Sequence, residues 1–212
     1  MNRMRIAASL LATLGCSHAL ALSDTEPLTM VYEAPAPARA LPNAPEEPSA
    51  VRTPRVEGCN VSLAHVADTR LNKETLGGSV FIMEGIVTSV PIFGASVLGG
   101  DGMQWLRGAL QTLPSFGVRI DGSVAARALD VRLRLAHAWN AGMNLNSHVV
   151  LEAKLPQADG TQVKRYHGFG IKLNWANANR EFMETLNLGM HDAVKGLADD
   201  LQAVCAGRAV SA

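Results

Sequence analysis

Residues 177–205 read NANREFMETLNLGMHDAVKGLADDLQAVC. Phe182, Leu186, Gly189, Met190, Ala193, Leu197, Leu201 and Val204 recur there at steps of three and four. At about 100° per residue they fall on one apolar stripe, with Glu181, Glu184, Asp192, Lys195 and Asp199 off it. The spacing predicts a long amphipathic helix, with Asn174, Asn177 and Asn179 as capping candidates. A helix of this kind draws its stability from the surface it packs on. The residues before it supply a sheet.

In 129–139 the odd positions Leu129, Val131, Leu133 and Leu135 are apolar, while Asp130, Arg132 and Arg134 point the other way. Val149, Leu151, Ala153 and Leu155 repeat the alternation, and Val163, Phe169, Ile171 and Leu173 extend it with Arg165 and His167 on the same face. Period two over such lengths predicts antiparallel strands with one face covered. A three-residue loop, Ala158-Asp159-Gly160, sets Leu155 opposite Val163 and Leu151 opposite His167. A two-residue Asp-Gly turn would put Leu155 opposite Lys164 and mix the faces. The uncovered face then carries Arg132, Arg134, Glu152, Lys154, Lys164 and Lys172. It reads as solvated with cross-strand charge pairs, or more sharply as a docking surface.

Upstream, 61–67 is short and apolar enough for a strand, and 71–78 reads as a polar loop. Leu106, Ala109, Leu110 and Leu113 form a helical face in 103–113, with Asp101 as N-cap and Pro114 as the stop. A strand over 116–121 then completes a βαβ crossover with the first. The expected fold is α+β: a mainly antiparallel sheet with an N-terminal βαβ crossover and a β-meander, two helices packed on one face. Some 150 residues can bury one core, so 58–208 is read as a single domain and 209–212 as a tail.

Residues 79–100 (SVFIMEGIVTSVPIFGASVLGG) hold one charge, Glu84, and are broken by Gly85, Pro91 and Gly94. Charge and breakers argue against a membrane helix. Two short strand-like segments, 80–87 and an irregular one through Val97, fit better. The segment is a hairpin over the sheet edge, or an apolar arm for a partner or lipid with Phe81, Ile82, Ile86, Val90, Ile92 and Phe93 as contacts.

The N-terminus places the protein. Residues 1–5 carry two arginines, residues 6–15 (IAASLLATLG) are apolar, and Ala19-Leu20-Ala21 offers a small-residue cleavage site. Residues 1–21 read as a secretory signal peptide, too short to span a bilayer. Leu14-Gly15-Cys16 also resembles the end of a bacterial lipobox, so Cys16 is a possible lipidation site; Thr13 stands where that motif prefers leucine. Membrane association follows only if Cys16 is lipidated, and Ser17 behind it would then favour the outer membrane. Residues 22–57 hold seven of the ten prolines and read as a disordered or PPII-like spacer. Both routes of processing leave Cys59 and Cys205, which an oxidising compartment reads as a disulfide. Closure of a loop of nearly 150 residues stabilises by about 4–5 kcal/mol in the chain-entropy account.

Catalytic signatures are lacking. His137 and His148 fall on opposite faces if an odd loop near Gly142 matches the apolar sides, and His137 and His167 share the covered face a strand apart. No H-x-x-x-H, C-x-x-C or H-E-x-x-H spacing occurs, so no metal or cofactor is expected. Gly94-Ala-Ser96 lacks the glycine of a nucleophile elbow. Gly99-Gly-Asp-Gly102 enters a helix without the Lys-Ser/Thr of a P-loop. Zero formal net charge and no basic-aromatic run argue against nucleic acid.

Val66-Ala-Asp-Thr-Arg70, Lys73-Glu-Thr-Leu-Gly77, Trp105-Leu-Arg-Gly-Ala-Leu-Gln-Thr-Leu113 and Gly117-Val-Arg-Ile120 resemble the YajG-like bacterial envelope lipoproteins. The resemblance covers most of 59–205 and rests on pattern. It implies an α+β domain with helices on one face of a sheet, tethered in a Gram-negative envelope. Related small lipoproteins serve as accessory subunits of envelope transport or assembly machines, and the resemblance carries no catalytic residues over. The weak lipobox, the long spacer and the insertion at 79–100 depart from that pattern. The expectation is a non-catalytic exported protein of the periplasm or the periplasmic face of the outer membrane, binding envelope proteins or lipid as a scaffold or accessory subunit. An exported hydrolase with an unrecognised site, or a carrier of lipid or another apolar ligand, is the alternative. Intact mass of the exported protein tests the processing directly. Cleavage after Ala21 leaves Leu22 first, with the chain two hydrogens lighter than its reduced form; added acyl mass at Cys16 would overturn that cleavage.

Overall fold

The computed structural model describes residues 28–36, 58–80, 94–123, 126–141, 143–157, 160–173, 179–208 and 210. The signal segment, Cys16 and the six apolar candidates from Phe81 to Phe93 lie outside them. In chain order come β1 (Asn60–Asp68), β2 (Thr75–Val80), β3 (Gly94–Leu98), α1 (Gly102–Leu110), a 3-10 turn (Leu113–Phe116), β4 (Arg119–Ile120), β5 (Arg127–Ala141), β6 (Asn144–Gln157), β7 (Gly160–Leu173) and α2 (Asn179–Cys205). The fold class is α+β, as expected.

Among the described residues the strands make one mixed, seven-stranded sheet organised on β5. On one side β5 pairs antiparallel with β6, and β6 with β7, giving the meander. On the other, β1 runs parallel to its first half, from Val61↔Arg127 to Asp68↔Leu133, and β2 pairs at Gly77↔Ala138 and Gly78↔Trp139. β4 lies parallel to β1, so the βαβ crossover is present, with the antiparallel β2–β3 hairpin inserted before its helix. Asp101 caps α1, accepting from Met103 N at 3.1 Å and Gln104 N at 3.0 Å. That helix ends at Leu110, earlier than the spacing suggested, because Pro114 falls in the 3-10 turn that carries the chain to β4. The strand beyond it shrinks to two residues, and Thr75 begins β2 inside the expected polar loop.

α2 lies across β6 and β7, burying Phe182, Leu186, Gly189, Met190, Ala193, Leu197, Leu201 and Val204. Its contact with β7 is backbone on backbone. A Cβ added at Gly168 would run into the Gly189 carbonyl oxygen and stand 2.5 Å from Ala193 N; one at Gly170 would run into Thr185 O. One at Gly189 would meet Ser147 Oγ at 2.8 Å and Val149 Cγ2 at 3.2 Å. Glycine inside a helix costs about 1 kcal/mol, and close approach to the sheet compensates it here. Ser147 Oγ donates to Thr185 O at 2.6 Å, and the Tyr166 hydroxyl to Asp200 Oδ2 at 2.8 Å.

This contact corrects the expected register. β7 is shifted by one residue: Leu155 faces Gln162 and Leu151 faces Tyr166, across a two-residue connection at 158–159 that lies outside the described residues. Tyr166, Gly168 and Gly170 therefore face α2, while Val163, Phe169, Ile171 and Leu173 point away. Lys164 and Lys172, expected on the uncovered face, lie on the helix side, where Lys164 pairs with Asp200 at 3.0 Å and Lys172 with Glu184. In β5 a bulge between Leu133 and Leu135 reverses the alternation, so Leu129, Val131 and Leu133 are covered but Leu135 turns outward.

Part of the expected spacer is docked. Leu28 and Met30 are buried in the core, and Asn187 Nδ2 donates to Val31 O at 3.2 Å. The same Asn187 accepts from the buried Trp105 Nε1 at 2.7 Å, joining α1, α2 and residues 28–36. Cys59 and Cys205 form a disulfide with Cα atoms 5.4 Å apart, tying the end of α2 to the start of β1. Gly168→Ala should destabilise by about 1–3 kcal/mol through overpacking, lowering Tm by roughly 2–12 °C in a domain of this size. Gly122→Ala, whose new Cβ meets nothing within 4 Å, serves as control; equal Tm values would refute the docking.

Candidate functional site

The helix-free face of β5, β6 and β7 divides into two zones. The registers give a charged zone of two cross-strand rows: Asp130, Lys154 and Val163, then Arg132, Glu152 and Arg165. Arg134, the bulged residue, joins it. Four cations share two carboxylates: Asp130 with Arg132 (3.2 Å) and Lys154 (3.3 Å), Glu152 with Arg165 (3.1 Å) and Arg134 (3.8 Å). Partial burial raises the Asp130 carboxyl, but Arg132 and Lys154 outweigh it and hold the group below the ordinary range. Ion pairs whose cations reach solvent, as these do, contribute little each to stability. Their use is to leave a small excess of positive charge.

The second zone continues as Leu135, Val150 and His167; His137, His148 and Phe169; Trp139, Asn146 and Ile171; and Ala141, Asn144 and Leu173. Here Leu135 is 37% exposed, Phe169 57%, Ile171 66% and Leu173 50%, large for apolar side chains on one continuous surface. Aromatic contacts order it. The His148 ring stacks on Phe169 with centroids 4.6 Å apart and planes at 9°, and His137 stacks on Trp139 at 5.6 Å. His148 Nε2 and His167 Nδ1 stand 3.0 Å apart in a hydrogen bond whose direction depends on the tautomer.

This corrects the expected placement of the histidines. His137 and His148 are direct cross-strand partners on one face, because Ala141 pairs with Asn144 across a two-residue connection rather than an odd one. His137 and His167 lie on the uncovered face, following the bulge in β5 and the shifted register of β7. Of the site residues expected from the sequence, Cys59 and Cys205 are joined, and Cys16 and the Phe81–Phe93 group lie outside the described residues. Alternation of apolar residues does not show Phe169, Ile171, Leu173, His148 and His167 as neighbours. The signal that could have found them is Tyr166-x-Gly168-x-Gly170: two glycines on one parity mark the side on which a backbone approaches.

Elsewhere the polar groups are engaged in structure. The Asp101 carboxylate occupies the amides that a phosphate would use at the glycine-rich entry to α1. Beside it the buried Arg70 grips Asp68 through Nε (3.0 Å) and Nη2 (2.8 Å), leaving Nη1 without a partner among the described residues. Burial works to raise Asp68, but the Arg70 bonds and charge hold it lowered. A cleft of ≈ 480 Å³ between residues 33–36 and α2 is lined by Glu33, Lys172, Glu184 and Asn187, and Glu184 is tied to Lys172 and Arg180. Among the described residues no three His, Cys, Asp or Glu side chains converge to hold a metal, and no helix is long and apolar enough to cross a membrane.

Burial, then the nearby His167 and His137, lowers the His148 pKa. Between about 6.5, the ordinary histidine value, and the lower native value, the unfolded chain binds more protons than the folded one. This contribution to stability is full above that window and falls as pH falls through it. His148→Gln should flatten the loss of stability on going from about pH 7 to pH 5. It should not abolish the loss, because burial and then Lys195 also lower His191, against Asp192. Urea melts across that range measure it; an unaltered slope would remove His148 from the account.

No family model and no curated protein matches the chain. Solved structures give distant similarity of shape. A crystal structure of an uncharacterised protein is 14% identical with TM-score 0.42, covering 66% of this chain and 91% of that one. A Xanthomonas campestris protein of the family DUF330 is 12% identical with TM-score 0.41, covering 79% of this chain and 89% of its own.

Proposed function

We propose that this is a non-catalytic exported protein of the bacterial envelope, a binding or accessory subunit of an assembly or transport system, as the resemblance to the YajG-like lipoproteins implies. It works in the periplasm or at the periplasmic face of the outer membrane. The observation that supports the reading is the apolar zone on the helix-free sheet face, where Phe169, Ile171 and Leu173 stand open while α2 covers the other side. Exposed contiguous apolar surface marks an interaction site. Its composition suits a protein partner: aromatic and aliphatic side chains at the centre with a ring of charge at one end.

A Phe169→Asp, Ile171→Asp double variant tests this. Charging the centre of such a surface should cost about 2 kcal/mol or more of binding, while the exposed positions leave Tm within a few degrees of wild type. Co-purification from cross-linked envelope fractions should yield a partner with wild type and lose it with the variant. A partner retained by the variant, or none captured by wild type, would overturn the docking role.

A further inference from the structure

We propose that His148 and His167 form a two-imidazole site for a divalent copper ion. The site goes beyond the docking reading and shares Phe169 with it. It enters from the register, which places on one face the imidazoles that sequence spacing set apart.

The nitrogens His148 Nε2 and His167 Nδ1 already face each other at 3.0 Å, carried by adjacent strands of a long antiparallel ladder. Phe169 fixes the plane of the His148 ring by stacking at 4.6 Å, and His167 is exposed, so it can adjust. Two metal–nitrogen bonds of about 2.0–2.1 Å spanning that 3.0 Å gap subtend roughly 90–97°. This is the cis angle of tetragonal Cu²⁺ or Ni²⁺ and falls short of the tetrahedral angle that Zn²⁺ takes in protein sites. To reach it the ring that donates the hydrogen bond passes that proton through water to its own other nitrogen, and the rings tilt until both lone pairs meet at the ion instead of along the nitrogen–nitrogen line. Imidazole nitrogen suits copper, which heads the divalent series in affinity. His137, directly opposite His148, is turned onto Trp139, and no third His, Cys, Asp or Glu side chain among the described residues completes the set. Water fills the remaining positions, on the solvent side of the sheet.

The test uses the mature protein, purified without a histidine tag, stripped of metal and titrated with Cu²⁺, Ni²⁺ and Zn²⁺ separately. Calorimetry should give one Cu²⁺ per chain, tighter than Ni²⁺ or Zn²⁺. The copper electron paramagnetic resonance spectrum should carry hyperfine structure from two imidazole nitrogens. His148→Ala and His167→Ala should each weaken copper binding about tenfold or more, while His65→Ala, an exposed histidine on β1, leaves it unchanged. His167→Gln, at an exposed position, provides a second variant whose fold is checked by its metal-free Tm. Equal affinity in the His148 and His167 variants, a spectrum with one imidazole or none, or zinc bound more tightly than copper would overturn the site.

Discussion

The architecture depends on one contact, the backbone of α2 against the backbone of β7 where Gly189 passes Gly168. A side chain at Gly168 would occupy the space of the Gly189 carbonyl, so helix and strand meet without the usual layer of side chains between them. That proximity decides which parity of β7 faces the helix. Gly168 and Gly170 must point inward, and Tyr166 on the same parity does so with its hydroxyl on Asp200. Burial there, followed by the Asp200 hydrogen bond and charge, pushes the Tyr166 phenol far up, so it remains a donor at any working pH. The apolar parity of the strand is left outside.

The sequence shows clearly which segments are strands and which are helices, because period two and period 3.6 are local properties of side-chain order. It shows less clearly which face of a strand is covered. For β5 and β6 the apolar side is the covered side, and alternation is a sound guide until the bulge at Arg134 turns Leu135 outward. For β7 the rule inverts. Hydrophobicity says that Phe169 and Ile171 go in, whereas the close approach of a helix says that Gly168 and Gly170 do, and steric exclusion is the stronger constraint. A glycine contributes no hydrophobic signal, so a reading based on apolarity passes over it. The histidine cluster was hidden for the same reason: its neighbours are fixed by register, and register by the glycines and the loop lengths.

Closure of the domain is distributed. The Cys59–Cys205 bond fixes the last turn of α2 to β1, and Trp105 and Asn187 fix its first half to α1 and to Val31. Sequence order points to the disulfide, since two cysteines that bracket a domain and are expected in an oxidising compartment have few other uses. It could not point to Asn187. A buried amide that both accepts from an indole and donates to a carbonyl 156 residues away is a tertiary fact, and nothing local distinguishes it from a solvated asparagine on the stripe's edge.

Among the described residues β7 pairs only with β6, which makes it an edge strand of 14 residues with an apolar face, an arrangement that invites strand-to-strand association. The chain guards the edge and leaves the face open. Asp192 of α2 accepts from Phe169 N at 3.1 Å, taking a backbone donor that an added strand would need at the middle of the apolar run. Arg165 places a charge on the same strand, held by Glu152. Backbone pairing along the edge is therefore obstructed at Phe169, in the middle of the apolar run. A partner would approach Phe169, Ile171 and Leu173 from above the sheet rather than extend it. Face packing of this kind is read through side-chain shape and through the net positive rim of Arg132, Arg134, Lys154 and Arg165. It allows one partner to be distinguished from another, which an open strand edge does poorly.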